Sequence, residues 1–170
     1  MPPLLDKHSR GYRRICWILS LAAVVVFANL HAMQPLLPEL SRSFGLTALQ
    51  TSWSYAIGTL ALGLSLLFYG AISDALGRRT LLGWTLVGMS VATLAITQVD
   101  SYAELLFWRA LQGLCLGGLP AIAIAYMGEE LSKPALLSAV GFYISASSLG
   151  GISGRLLAGF CAELGHWQWA

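Results

Sequence analysis

Between Arg14 and Glu39 the sequence carries no charged side chain. The same gap recurs from Arg42 to Asp74 and from Arg79 to Asp100. Two further stretches hold one charge each, Arg109 between Glu104 and Glu129, and Arg155 between Lys133 and Glu163. Charged residues are 11% of the chain, against about 25% in soluble domains. This scarcity excludes an ordinary soluble domain. With 56% hydrophobic residues and a mean hydropathy of +0.69, 170 residues cannot hide their apolar surface in one core, so lipid is the expected solvent. Cysteine is scarce too. Cys16, Cys115 and Cys161 are odd in number and lack metal-ligand spacing, so they read as small apolar packing residues. No cofactor, metal or nucleic-acid partner is expected. Alternating strands of about ten residues are absent, which argues against a β-barrel.

What is present is five long apolar stretches, roughly residues 15–37, 49–73, 80–98, 103–128 and 135–161. Each meets the requirement of about 20 apolar residues for a membrane span. Such runs must be helical, because hydrocarbon offers no partner for a free backbone group. The fold class expected is an all-α membrane protein of five transmembrane helices. Residues 1–14 form a cytoplasmic segment and residues 15–170 a helical bundle. With the N-terminus inside, Lys7, Arg10, Arg13, Arg14, Arg78, Arg79 and Lys133 are cytoplasmic and only Arg42 lies in an outer loop. That asymmetry follows the positive-inside rule and puts the end of the chain outside. The first span is too long for a signal-peptide core and FANLHAMQP offers no small-x-small cleavage site.

The stretch YGAISDALGRRTLLG interrupts this apolar pattern between the second and third spans. Its simplest reading is a tight turn, with Gly77 at the bend and two arginines at the inner interface. Its spacing is more particular. Gly70, Asp74, Gly77, Arg78 and Arg79 give G-x-x-x-D-x-x-G-R-R, followed by Leu81 and Leu82. In position and spacing this resembles the signature loop of the major facilitator superfamily. In the fourth span Arg109, Gln112 and Gly113 resemble that family's R-x-x-Q-G motif. In the fifth, Gly150, Gly154 and Gly159 resemble the antiporter pattern G-x-x-x-G-P-x-x-G-G, with Arg155 in place of its proline and Ala158 in place of a glycine. The resemblance covers essentially the whole chain and five of the family's usual twelve spans.

The resemblance implies the N-terminal part of a secondary transporter, an incomplete six-helix half that would not perform alternating access alone. It implies a small-molecule substrate in a full-length form, protons as coupling ion, efflux in the manner of bacterial drug transporters, and a bacterial inner membrane. It implies that Asp74 and the arginines behind it help lock one state of the transporter, and that Arg109 serves proton coupling. Glu129 and Glu130 end the fourth span on the same side as Arg78 and Arg79, so one of them is placed to pair with an arginine.

The residues add their own argument. An arginine within a span costs about 2.5–3.5 kcal/mol at its centre on insertion scales and is a functional hypothesis by default. Gln112 shares its face, three residues on. The small residues Gly113, Gly117, Ala121 and Ala125 mark a close-packed face, which places Arg109 toward the bundle, near span one or five. Arg155 reaches a similar depth, where two arginines suit an anionic group or a shared acid, or snorkel. Gly150, Gly154 and Ala158 form a second small-residue stripe. Asn29, His31 and Gln34 cluster near the outer end of span one as cavity candidates, and Tyr55 and Thr59 share a polar stripe on span two. Two other classes remain. Gly151-Ile152-Ser153-Gly154 fits the G-x-S-G of an intramembrane serine protease, which needs a base; the only later histidine is His166, and His31 lies in span one near the outside. A small non-transporting membrane protein or assembly partner is the other.

Overall fold

The computed structural model describes residues 4–164. Six helices follow in order: α1 (Arg10–Phe44), α2 (Ala48–Leu76), α3 (Arg78–Ile96), α4 (Tyr102–Leu116), α5 (Gly118–Glu130) and α6 (Lys133–Glu163). Because α4 and α5 lie in one apolar stretch, five stretches are long and apolar enough to cross a membrane. The chain is a multi-pass, all-α membrane protein. Its surface agrees: Trp17, Leu67 and Leu137 are 76%, 75% and 78% exposed, an arrangement that suits hydrocarbon and not water.

Polar residues set the ends. Tyr12 N–H donates to the Ser9 hydroxyl (3.1 Å) and Glu104 N–H to that of Ser101 (3.2 Å). Thr47 and Gln50 form a reciprocal capping box at α2. These caps explain why α1 starts at Arg10, within the segment assigned as non-membrane. Hydropathy marks where apolar side chains begin, whereas a hydroxyl that satisfies a free N–H marks where a helix begins. α1 also runs past the expected limit at 37, through Pro35 and Pro38, to a left-handed cap at Gly45.

The fourth span departs from the continuous helix expected over 103–128. Pro120 has no N–H to offer the Leu116 carbonyl, four residues back, and its ring crowds that oxygen. α4 accordingly ends at Leu116 and α5 restarts at Gly118. Gly117, between them, stays near helical geometry (φ −67°, ψ −17°), so the span bends without separating.

α1 packs most extensively on α6, and α2 on α4. Glycines permit both approaches. A Cβ at Gly154 would run into the Ala28 backbone of α1, and one at Gly113 into the Gly58 carbonyl of α2. The small-residue stripes of the fourth and fifth spans therefore serve different partners. Near the N-terminus, Leu5 donates its N–H to the Glu130 carbonyl (2.9 Å) and accepts from Ser132 N–H (3.0 Å). That isolated bridge ties the leading segment to the turn between α5 and α6.

Candidate functional site

One polar site lies inside the bundle. Arg109 on α4 is 3% exposed and Gln112, one turn on, 2%. The guanidinium donates through Nε to the Ser54 carbonyl of α2 (3.4 Å) and through Nη1 to Gln112 Oε1. The Gln112 amide donates to Asn29 Oδ1 of α1 (2.7 Å) and Thr93 Oγ1 of α3 (2.8 Å). Asn29 itself donates to Thr93 (3.1 Å). Four helices thus meet at Gln112, whose amide accepts on one side and donates on the other. Arg109 Nη2 is buried and has no hydrogen-bond partner. It lies where Gly58 has no side chain, since a Cβ there would be 3.4 Å from it. Neither Arg109 nor Arg155 takes part in an ion pair among the described residues.

The expectation that Arg109 sits near span one or five is corrected in part. It faces the bundle, but its direct partner helix is α2, and α1 is reached only through Gln112. The small stripe of α4 seats on α2, and that contact carries the arginine with it. Of the alternatives for Arg155, the shared acid is not seen. Arg155 is exposed, donates to Gln34 Oε1 of α1 (2.6 Å) and to the Gly151 carbonyl one turn back (3.0 Å), and shares no acid with Arg109 among the described residues. Its Nε reaches across to α1 because Gly150 and Gly154 keep the two helices close.

Asn29, His31 and Gln34 part company. Asn29 joins the network, Gln34 holds Arg155, and His31 Nδ1 lies 2.9 Å from the Phe27 carbonyl. Tyr55 packs in an apolar cluster with Met33, Leu36 and Leu105. The Thr59 hydroxyl donates to the Tyr55 carbonyl (3.2 Å), and Tyr55 lies within electrostatic reach of Arg109. The Ser153 hydroxyl donates to the Gly150 carbonyl (3.1 Å), with no basic side chain against it among the described residues, and His166 lies outside them. Ser54, Gly58, Thr93 and Pro120 were not singled out from sequence. Thr93 carried no separate signal, because the same span also holds Thr80, Thr85, Ser90 and Thr97.

The second site is at the α2–α3 turn. Gly77 is a single-residue hinge with φ +86° and ψ 126°, a conformation that disfavours a side chain. Arg78 then opens α3, where a positive charge opposes the helix dipole. Two carboxylates offset it: Asp74 at 3.0 Å and Glu129 of α5 at 2.8 Å. The Arg78 side chain is 19% exposed while Asp74 and Glu129 are 66% and 60% exposed. One arginine therefore joins the ends of α2, α3 and α5. Glu130 contributes its backbone carbonyl, to Leu5, and neither it nor Arg79 forms an ion pair among the described residues. A Cβ at Gly70 would meet nothing within 4 Å, so close packing is not what requires glycine there.

Known proteins share this arrangement of sequence. The chain is 39% identical to the inner membrane transport protein YnfM of Escherichia coli (96% of this chain, 39% of that protein). It is 37% identical to the MFS-type transporter YybF of Bacillus subtilis (98% of this chain, 41% of that one), and 28% identical to citrate exporter 1 of Aspergillus niger (97% and 32%). It spans about two fifths of the length of the first two. The family model of the Major Facilitator Superfamily matches residues 19–170. With five apolar spans, the ion-paired G-R-R hinge and the buried R-x-x-Q-G arginine in one bundle, the chain belongs to the Major Facilitator Superfamily.

Proposed function

We propose that this chain forms the N-terminal part of a secondary active transporter that exports small molecules in exchange for protons across a bacterial inner membrane. The observation that carries this reading is Arg109, a buried guanidinium with one free nitrogen and no counter-charge among the described residues. A cation held in a low-dielectric bundle favours the ionised form of any carboxylate brought to it and attracts an anionic substrate group. The four-helix hydrogen-bond network keeps its position fixed while such a group arrives or leaves.

The Arg78 cluster supplies the gate in this reading. Its pairs are partly solvated, and such pairs contribute about 0–1 kcal/mol each. They bias one packing of three helix ends without locking it, as a reversible switch needs. The basic end carrying Arg78 faces the cytoplasm, in keeping with the distribution of Lys and Arg. The names of the relatives support transport in general and, for the citrate exporter, an outward direction.

The test uses a chain of the relatives' full length and reads accumulation of ethidium and of labelled citrate in energised cells. Asp74→Asn keeps a hydrogen-bond acceptor but removes the charge, and is expected to lower transport up to about fivefold at near-normal expression, equivalent to about 1 kcal/mol. Transport at the wild-type rate would leave Asp74 as a turn residue and remove the gate.

A further inference from the structure

The last turn of α5 is unfavourable on its own. It ends with Glu129 and Glu130, and carboxylates at a helix C-terminus oppose the dipole. The final carbonyls also lack partners within the helix. Two groups from outside hold the turn. Arg78 of α3 takes the Glu129 carboxylate at 2.8 Å. Leu5, ahead of α1, donates its N–H to the Glu130 carbonyl (2.9 Å) and accepts from Ser132 N–H (3.0 Å). The two ties grip neighbouring residues.

The segment ahead of α1 is shaped for this contact. Ser9 N–H donates to the Asp6 carbonyl (2.9 Å) and the Ser9 hydroxyl accepts from Tyr12 N–H, so a tight turn folds the segment back from the start of α1. Gly11 gives Leu5 its seat, since a Cβ there would lie 2.8 Å from Leu5 Cδ1 and 3.1 Å from Cδ2. Leu5 packs against the core cluster that contains Met127, Leu131 and Ala135. Leu131, its partner in the bridge, is extended (φ −110°, ψ 144°) and 2% exposed. The Ser132 hydroxyl does not cap α6, so the backbone bond to Leu5 ties the junction. Donor, acceptor and seat all lie within this bundle.

We propose that residues 4–9 form a strap, anchored by Leu5, that holds the last turn of α5 so that Glu129 stays on Arg78. Leu5 is then a positioning residue for the gate, a role that rests on the gate reading above. With the strap released, the two acids and the unpaired Glu130 carbonyl favour fraying of the turn, and Glu129 leaves Arg78 with it.

The test uses a chain of the relatives' full length, purified in detergent, and reads hydrogen-exchange protection of the Glu129, Glu130 and Leu131 amides by mass spectrometry. Leu5→Pro removes the donor to Glu130. Gly11→Leu keeps every backbone donor but fills the seat, and leucine is the better helix former there. Each is expected to lower protection about tenfold. Leu5→Met keeps the anchor and both bonds and should match wild type. Glu129→Gln alone should lower protection about threefold. Combined with Leu5→Pro it should lower protection no further than Leu5→Pro does, because the pair is already lost. Unaltered protection in Leu5→Pro and Gly11→Leu would mean that the strap does not hold the turn. A loss of about thirtyfold in the double variant, the product of the single effects, would mean that strap and pair act separately. Either result overturns the proposal. Ethidium export by the same variants should fall in Leu5→Pro and Glu129→Gln alike. Export unchanged in Glu129→Gln, with protection lost as expected, would remove the gate and leave the strap.

Discussion

Arg109 and Gln112 illustrate how one residue can stabilise a bundle and another burden it. A buried charge without a counter-charge is costly, and replacing it by an apolar side chain of similar volume is often neutral or stabilising. Arg109→Leu is therefore expected to leave the unfolding midpoint in detergent unchanged or higher, and to abolish transport in a full-length chain. Transport that persists in this variant would mean that the arginine has no role beyond packing. Gln112→Leu has the opposite signature. It leaves Nη1 of Arg109 and the Asn29 and Thr93 side chains short of a partner, at about 1–3 kcal/mol. In a cycle with Thr93→Val the two losses should add to less than their sum, because both break one network. Strict additivity, measured by denaturant or thermal unfolding, would mean that the network is not formed. The R-x-x-Q spacing was legible in sequence as a shared helix face. That Gln112 hands its amide to α1 and α3 was not, since those partners lie on other spans.

At the level of the helix, glycine positions separate into two kinds. Gly154 and Gly113 each face a backbone, at Ala28 and at Gly58, that cannot rotate out of the way. Gly141 on α6 faces open space. Gly154→Ala is expected to destabilise by about 1–3 kcal/mol through overpacking of α1 against α6. Gly141→Ala should stabilise by roughly 0.5–1 kcal/mol through helix propensity alone. Equal effects of the two, read as shifts in unfolding midpoint, would show that the α1–α6 contact is not close. Both stripes were visible in sequence because i, i+4 spacing of small residues is a property of one helix. Their partners were not visible, since the same stripe fits any helix that can approach. The bend at Pro120 was available to inspection, but an apolar run masks it: hydropathy averages over a proline that matters only through the carbonyl four residues behind.

For the molecule as a whole, the arrangement of charge along the chain leads to an orientation that labelling can test. In a chain with Cys16, Cys115 and Cys161 replaced by serine, a cysteine at Ala75, exposed beside the α2–α3 turn, should resist an impermeant maleimide in intact cells and react after permeabilisation. A cysteine at Thr47, between α1 and α2, should react in intact cells. The reverse pattern would invert the bundle and put the Arg78 cluster outside. The network at Gln112 and the cluster at Arg78 share one span, since Gln112 lies on α4 and Glu129 on α5.

Partition between water and lipid depends on contiguous side chains, so the sequence by itself determined the five spans, their helical state and the charge asymmetry at their ends. Turn chemistry is equally local, and Gly77 with Arg78 was readable for that reason. Only the tertiary structure decided which faces meet. Arg109 finds Ser54 across 55 residues, Gln112 finds Asn29 across 83, and Arg155 finds Gln34 across 121. Two arginines of similar depth and equal insertion cost were equivalent in the sequence. Packing separated them, because α4 turns its polar face toward three other helices while α6 presents Arg155 at an open edge of its contact with α1. Such contacts depend on the distance and rotation between helices, which side-chain volume across the whole bundle sets together and no single stretch encodes.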